Sequence, residues 1–216
     1  MRVKICGITQ AQQGKEIAAL GATALGFICV ERSPRYVNPQ QISVIVQQLP
    51  STVDRIGVFA DEIPENIADI VTQANLTGVQ LHGTETPDFC CRLRRLIDSE
   101  IEIIKAFRIK TPESLTAIQA YFNCVDTLLL DAYDPQALGG TGKTINWQDL
   151  QQFKPDLPWF LAGGLNPDNV VAAITNLHPN GIDLSSGVEK SPGDKDLNKV
   201  ARLFNQIQPK NLPIID

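Results

Sequence analysis

The sequence lacks the long apolar runs that mark membrane proteins. No run approaches the roughly 18 residues that a transmembrane helix requires. The opening residues, MRVKICGITQ, also lack the extended apolar segment of a signal peptide. Histidine is scarce, with two residues, and no set of His, Cys and carboxylate side chains has the spacing of metal ligands. We therefore expect a cytoplasmic protein with no membrane partner and no bound metal.

Strong charge and an obvious cysteine framework are missing as well. The 216 residues include 24 acidic and 19 basic side chains, and the net charge of -5 argues against a nucleic-acid partner. The five cysteines are odd in number and form no C-x-x-C motif, and neighbours such as Cys90 and Cys91 rarely bond each other. This favours a reducing compartment. A chain of this length buries roughly 70% of its unfolded surface, so it needs no disulfide or metal.

The chain does contain a regular alternation of two kinds of segment. Short apolar runs rich in Val, Ile, Leu and Phe are typical of strands, and longer amphipathic stretches between them are typical of helices. The predicted strands are residues 3–6, 24–30, 55–60, 78–82, 101–107, 126–131, 158–163 and 181–185. The predicted helices are residues 10–20, 39–49, 64–74, 87–97, 112–121, 146–153, 167–177 and 194–207. Asn38 before Pro39 suits a helix start, and Gly21 suits a helix end.

Eight strand–helix units account for the whole chain, at about 27 residues each when 216 residues are divided by eight. Strict alternation predicts parallel strands with right-handed crossovers. An open doubly wound sheet has the same alternation, but eight units without an insertion favour an α/β fold of one domain, a (β/α)8 TIM barrel over residues 1–216. Active sites of such barrels lie at the carboxyl ends of the strands, so functional side chains are expected there.

The first predicted strand ends at Cys6. A cysteine at the barrel mouth is either a nucleophile or general base, or a small buried hydrophobic residue. Lys4 precedes it by two residues and shares its inward face. A cation there would favour the thiolate, but a pairing of Lys4 with a carboxylate such as Asp183 is the better interpretation.

Asp131 follows three leucines at the end of the sixth predicted strand. A carboxylate at the tip of an apolar strand is costly unless it is used or paired, and its surroundings could make it a general acid. The alternative is a turn or helix-capping residue. The loop at 139–144 has part of a phosphate-loop pattern, but Ala137 stands where that pattern needs Gly, so we interpret the loop as a lid.

Other strand ends carry candidate binding residues. Arg32 and Arg35 follow the second strand and could bind a carboxylate, although a solvated basic loop is the alternative. Gln80 and His82 share one face of the fourth strand, where His82 is a binding candidate or a structural residue. Lys105 lies within the fifth strand and could form a Schiff base with a carbonyl substrate. Small residues after the last two strands predict a phosphate site: Gly163, Gly164, Ser186 and Gly187.

Seven short motifs occur along the chain in a particular order. They are KICGIT at 4–9, GVF at 57–59, QLHG at 80–83, LLD at 129–131, GGTGK at 139–143, GGLNP at 163–167 and SSGVE at 185–189. Together they resemble the phosphoribosylanthranilate isomerase family of tryptophan biosynthesis. The resemblance implies the Amadori rearrangement of N-(5-phosphoribosyl)anthranilate to 1-(2-carboxyphenylamino)-1-deoxyribulose 5-phosphate. It also implies that no cofactor is required.

The resemblance extends to individual residues. It implies that Cys6 is the general base and Asp131 the general acid, and that Arg35 binds the anthranilate carboxylate. It assigns the phosphate to Gly163, Gly164, Ser186 and Gly187, with His82 as a further substrate-binding residue. The expected partner is thus a small phosphorylated molecule, and the protein is expected to be a monomer or a homodimer.

Three alternatives remain open at this point. The first is a Schiff-base aldolase or lyase that uses Lys105 on the same barrel. The second is the related sugar-phosphate isomerase of histidine biosynthesis, which Cys6 disfavours because those barrels carry an aspartate there. The third is a phosphate-binding barrel without turnover, which would not need both Cys6 and Asp131 at its mouth.

Overall fold

Eight parallel strands close into a barrel in which each strand pairs with the next and the eighth pairs with the first. The computed structural model describes residues 1–109, 112–132, 150 and 153–207. The strands are β1 (Arg2–Cys6), β2 (Ala24–Ile28), β3 (Asp54–Phe59), β4 (Gly78–Leu81), β5 (Glu102–Ile109), β6 (Thr127–Ala132), β7 (Trp159–Ala162) and β8 (Gly181–Leu184). The predicted (β/α)8 barrel is confirmed.

Helices connect the strands on the outside of the barrel. The described α-helices are α1 (Ala11–Leu20), α2 (Pro39–Val46), α3 (Pro64–Gln73), α4 (Pro87–Arg94), α5 (Val170–Leu177) and α6 (Leu197–Ile207). Over the residues described, no helix is both long and apolar enough to cross a membrane. The predicted lid at 139–144, and most of the predicted helix at 146–153, lie outside the described residues.

Local sequence signals set the ends of several helices. The side chain of Asn38 accepts a hydrogen bond from the Gln41 amide, while Gln41 caps the Asn38 amide in return, and Pro39 occupies the first turn. Gly21 ends α1 in the left-handed conformation at φ 117°, which a residue with a Cβ adopts only with strain. Both ends agree with the sequence analysis.

The segment between β5 and β6 differs from the predicted α-helix. Residues Pro112–Tyr121 form a 3-10 helix. Its core-facing residues Leu115, Ile118 and Tyr121 recur every three residues. A helix with three residues per turn places such positions directly above one another, whereas in an α-helix they still share a face but shift around it at each step. The apolar spacing therefore explains the tighter winding.

The chain after β8 also departs from the predicted helix at 194–207. A two-stranded antiparallel hairpin intervenes, formed by β9 (Glu189–Ser191) and β10 (Asp194–Lys195). Gly193 makes its turn at φ 83°, a left-handed conformation that favours glycine. Helix α6 begins only at Leu197, because the preceding residues pair with β9 and with helix α1.

Apolar residues occupy two regions. A large cluster fills the space between the strands and the helices, and a smaller one fills the inside of the barrel: Ala24, Ile56, Ile104, Ala106, Leu129, Phe160 and Ala162. Gly181 of β8 makes room for the largest of these, since a Cβ there would lie 2.4 Å from the Phe160 ring. The packed interior leaves polar groups and open space at the mouth.

One cysteine pair differs from the expectation that the protein has no disulfide. Cys91 on α4 and Cys124, just before β6, are bonded to each other, while Cys6, Cys29 and Cys90 are free. The two partners are 33 residues apart in sequence, but their Cα atoms lie 4.9 Å apart. The packing of neighbouring barrel units creates this proximity, which sequence spacing alone does not reveal.

Reduction of the Cys91–Cys124 bond should lower the free energy of unfolding by about 4 kcal/mol, because the bond closes a loop of 33 residues in the unfolded chain. Urea unfolding with and without reductant measures this after treatment with oxidised glutathione. The double variant Cys91→Ala/Cys124→Ala is the control and should not respond to reductant. Five reactive thiols in the oxidised, denatured protein, instead of three, would contradict the pairing.

Candidate active site

A cavity of about 280 Å³ opens at the carboxyl ends of the strands. All eight site residues proposed from the sequence line it: Cys6, Arg35, His82, Asp131, Gly163, Gly164, Ser186 and Gly187. They come from six different strand ends or the loops that follow them. The closed parallel barrel is what assembles them, because it brings all carboxyl strand ends to one rim.

Cys6 lies at the end of β1, buried and facing the cavity. Gly26 stands opposite it in register on β2, and a Cβ at Gly26 would lie 2.7 Å from the Cys6 sulfur. Burial raises the pKa of the Cys6 thiol, against the lowering effect of Lys4 and Lys195. Burial therefore favours the neutral thiol of Cys6 at neutral pH.

Lys4 is fully buried beneath Cys6 and pairs with Asp183, with 2.9 Å between Nζ and Oδ1. The two residues are neighbours in register on β1 and β8. This is the pairing that the sequence analysis favoured. It satisfies a cation that would otherwise be costly inside the barrel.

His82 stands between Gln80 and Asp131. Its Nε2 lies 3.6 Å from Oδ2 of Asp131, and the Gln80 amide nitrogen lies 2.9 Å from His82 Nδ1. An amide N–H that donates to Nδ1 leaves the ring proton on Nε2, facing Asp131. The buried Gln80 Oε1 finds no hydrogen-bond partner within the described parts of the chain, although it lies at the cavity wall.

Arg35 reaches the cavity from the loop after β2 and is held by Glu189. Its Nε and Nη2 donate to the carboxylate of Glu189 at 2.9 and 2.7 Å. Although burial works against it, hydrogen bonds from Arg35 and Lys195 lower the pKa of Glu189 to about 2. The guanidinium therefore has a permanent anionic anchor, and it lines the cavity in a fixed position.

The loops after β7 and β8 need glycine for different reasons. Gly163 and Gly164 have φ angles of 96° and 64°, which residues with a Cβ rarely adopt. Gly187 has no such angle, but a Cβ there would lie 2.0 Å from the Leu165 carbonyl oxygen. The two loops therefore pass each other in direct contact along the cavity rim. This is the arrangement in which barrels often bind phosphate.

Arg32 and Lys105 lie outside this cavity, in a neighbouring one of about 320 Å³. The Lys105 ammonium donates to Glu85 at 3.0 Å and to the carbonyl oxygens of Leu81, Gly83 and Ala106. The Lys105 nitrogen is thus held among four acceptors instead of projecting into the cavity where the eight site residues lie. The geometry thus gives no support to a Schiff base at Lys105.

The molecule has a further cavity that is separate from this site. A larger cavity of about 640 Å³ opens on the outside of the barrel beside α3, and it includes none of the eight site residues. Among the residues that the structure describes, no group of three or more His, Cys, Asp or Glu side chains is arranged to hold a metal ion.

Some residues that support the site were predicted, namely Gln80 beside His82 at the mouth and the Lys4–Asp183 pair, but the roles of Glu189 and Lys195 were not. Glu189 was visible as the last letter of the SSGVE motif, and Gln80 as the polar neighbour of His82. Lys195 gave no signal, because it was placed inside a predicted helix. Its contact with the Cys6 carbonyl oxygen joins residues 189 positions apart.

Comparison with known proteins gives a consistent result along the chain. Residues 3–206 match the family model described as N-(5'phosphoribosyl)anthranilate (PRA) isomerase. N-(5'-phosphoribosyl)anthranilate isomerases of Rippkaea orientalis and Crocosphaera subtropica are 62% and 63% identical over 208 and 211 residues. The matches cover 96% of both chains in the first case, and 98% of this chain and 100% of the relative in the second.

Solved structures agree. The phosphoribosyl anthranilate isomerase of Thermotoga maritima superposes with a TM-score of 0.85 at 36% identity, covering 95% of this chain and 98% of that one. Another isomerase structure is a complex with reduced 1-(o-carboxyphenylamino)-1-deoxyribulose 5-phosphate. It has a TM-score of 0.81 at 33% identity and covers 95% and 97% of the two chains.

We expect His82 to carry its ring proton on Nε2, because the Gln80 amide donates to Nδ1. Two histidines make the 15N spectrum simple, and His178→Asn assigns the signals. Gln80→Leu should abolish the tautomer preference, while Gln73→Leu on the outer helix α3 should preserve it. A proton found on Nδ1 in the unaltered protein would mean that the Gln80 amide is turned and accepts instead.

Proposed function

Because the chain belongs to the N-(5'-phosphoribosyl)anthranilate isomerase family, we propose that Cys6 and Asp131 perform its reaction as general base and general acid. The chain catalyses the isomerisation of N-(5'-phosphoribosyl)anthranilate in tryptophan biosynthesis. The observation that carries the two assignments is their common cavity: Cys6 and Asp131 face one space that Arg35 and the glycine loops also border.

Asp131 acts first in the proposed mechanism. Its carboxylic acid gives a proton to the furanose ring oxygen while the bond from that oxygen to C1 breaks. The lone pair on the anthranilate nitrogen forms the new C=N bond, so the product of this step is an open-chain iminium and an aspartate. His82 Nε2, 3.6 Å away, can then donate to the aspartate, which stabilises the charge that the step creates.

Cys6 acts second. The iminium makes the C2 proton acidic, because the positive nitrogen accepts the electrons of the C–H bond. The Cys6 thiol first loses its proton to solvent, and the resulting thiolate removes the C2 proton. The electrons of the C2–H bond form a C1=C2 bond while the C=N electrons return to nitrogen, which gives an enolamine that tautomerises to the ketone. Since burial raises the pKa of Cys6, only a small fraction of this thiol is deprotonated at neutral pH. The thiolate is therefore a strong base when it forms.

The substrate spans the barrel mouth between two anion-binding regions. We assign its anthranilate carboxylate to Arg35 and its phosphate to the loops after β7 and β8, with His82 beside the reacting sugar. The phosphate loops comprise Gly163, Gly164, Ser186 and Gly187. Support comes from the fact that all of these groups line a single cavity, and from a related isomerase solved with a phosphorylated carboxyphenylamino sugar.

The proposal also covers the location, domain organisation, partners and oligomeric state of the protein. We place it in the cytoplasm as a single catalytic domain over residues 1–216, acting on a small phosphorylated molecule without a nucleic-acid or membrane partner. It is either a monomer or a homodimer. One solved structure is of generated monomers of the dimeric isomerase of Thermotoga maritima, which supports both states.

Cys6→Ser and Asp131→Asn should each lower kcat by about 10²- to 10⁴-fold, since each removes one proton-transfer group. The measurement is the loss of substrate fluorescence with phosphoribosylanthranilate generated in situ. Cys29→Ser and Asp168→Asn make the same chemical changes away from the cavity and should keep nearly full activity. Survival of activity in either site variant would remove that residue from its assigned role.

Arg35→Ala should raise KM about 10- to 100-fold and change kcat less. Charge-assisted hydrogen bonds contribute about 1.5–3 kcal/mol, and the carboxylate is bound alike in the ground and transition states. Steady-state kinetics checks this, with Arg32→Ala as the control because Arg32 lies in the neighbouring cavity. A large fall in kcat at constant KM would contradict the assignment.

A further inference from the structure

Lys195 of the hairpin is a buried cation with no direct place in the proposed mechanism. It is fully buried, and its ammonium donates to three acceptors: the Cys6 carbonyl oxygen, the Ser185 carbonyl oxygen and Oε1 of Glu189, the last at 2.7 Å. Two of these partners belong to the ends of β1 and β8. The ammonium therefore ties the hairpin to the strand that carries Cys6.

Glu189 extends this connection to Arg35. One carboxylate accepts from Lys195, from Arg35 and from the Gly193 amide. Two cations thus share one anion behind the cavity wall. A shift of the Lys195 ammonium would be passed on to the Cys6 backbone and to the Glu189 carboxylate, which binds the Arg35 guanidinium.

The packing around Gly7 shows how closely the end of β1, Arg35 and Lys195 approach one another. Its φ angle is 83°, and a Cβ there would lie 2.8 Å from Cδ of Arg35 and 3.5 Å from the Lys195 nitrogen. The turn that follows Cys6, the stem of Arg35 and the end of Lys195 are therefore in mutual contact. A residue larger than glycine would separate them.

The hairpin has its own attachments, which do not depend on the Lys195 ammonium. Thr9 donates its hydroxyl to the Gly193 carbonyl oxygen at 2.6 Å. The Gln13 side chain on α1 binds Asp194 and the backbone of Lys195. Removal of the charge at position 195 therefore leaves the hairpin anchored.

A gain in folding stability does not explain the buried cluster of Lys195, Glu189 and Arg35. Buried ion pairs contribute little or nothing compared with well-packed apolar residues of the same volume, because both ions lose their hydration. What such a cluster does supply is fixed geometry, since each donor and acceptor is held by several directed bonds.

We propose that Lys195 is a positioning residue, which holds the Cys6 end of β1 and, through Glu189, the Arg35 guanidinium in one arrangement around the substrate. This inference rests on the proposed roles of Cys6 and Arg35. It assigns the β9–β10 hairpin, which lies outside the barrel repeat, to the catalytic machinery as its support.

The test compares Lys195→Met with Lys199→Met. Lys199 also donates to Glu189, but to its backbone carbonyl oxygen, so the two variants make the same chemical change while only Lys195→Met removes a partner of the carboxylate. Lys195→Met should lower kcat/KM on the order of 10²-fold, because displacements of about 1 Å at reacting groups have effects of this size. Both kcat and KM should change, whereas Lys199→Met should stay near the unaltered protein.

A second readout follows Cys6 directly and needs no substrate. The rate at which iodoacetamide alkylates Cys6 is measured against pH, with the Cys6 peptide quantified by mass spectrometry. Because Lys195 lowers the pKa of Cys6, Lys195→Met should move the alkylation profile to higher pH. Lys199→Met, which removes a cation that does not act on Cys6, should leave that profile in place.

Equal activity in the two lysine variants with an unchanged Cys6 profile would overturn the proposal. So would an activity loss that matches the loss of folded protein by circular dichroism, again with an unchanged profile. If Lys195→Met does not fold, Lys195→Gln keeps N–H donors without the charge and takes its place. Failure of the proposed function is read separately, as full activity in Cys6→Ser or an unchanged KM in Arg35→Ala.

Discussion

Every ammonium group buried at this barrel mouth needs a carboxylate from another element, and the site depends on that constraint. Lys4 pairs with Asp183 across β1 and β8, Lys105 with Glu85, and Lys195 with Glu189, at 2.7 to 3.0 Å. An unpaired ammonium in these positions would be strongly destabilising. The pairs cross between strands and loops, so satisfying them fixes the relative positions of the strand ends from which the cavity is built.

The same constraint separates the lysines by function. Lys105 is surrounded by acceptors in a neighbouring cavity, so it connects β5 to the loop after β4. Lys4 and Lys195 instead lie near Cys6 and lower its pKa, against the larger effect of burial. Cys6 therefore combines burial, which favours the neutral thiol, with nearby cations that favour the thiolate.

The sequence was sufficient for the barrel and for the residues that line the cavity, because both follow from local patterns and from the rule that strand ends meet at one rim. It was insufficient where distant segments meet. The Cys91–Cys124 bond, the contact of Lys195 with Cys6 and the anchor of Arg35 on Glu189 all join residues far apart in the chain. The 3-10 helix was missed because apolar residues at intervals of three suit two kinds of helix.

The hairpin after β8 is the part of the described chain that departs most from the barrel repeat. A barrel repeat needs only a helix after its last strand, yet this chain inserts β9 and β10 and starts α6 at Leu197. A shorter connection would leave nothing to occupy the space behind Gly7, where Arg35 and Lys195 meet. The eightfold repeat can bring Cys6 and Arg35 to the same rim, but it supplies no bond between them. The insertion supplies that bond through Lys195 and Glu189, and this accounts for the departure from the repeat.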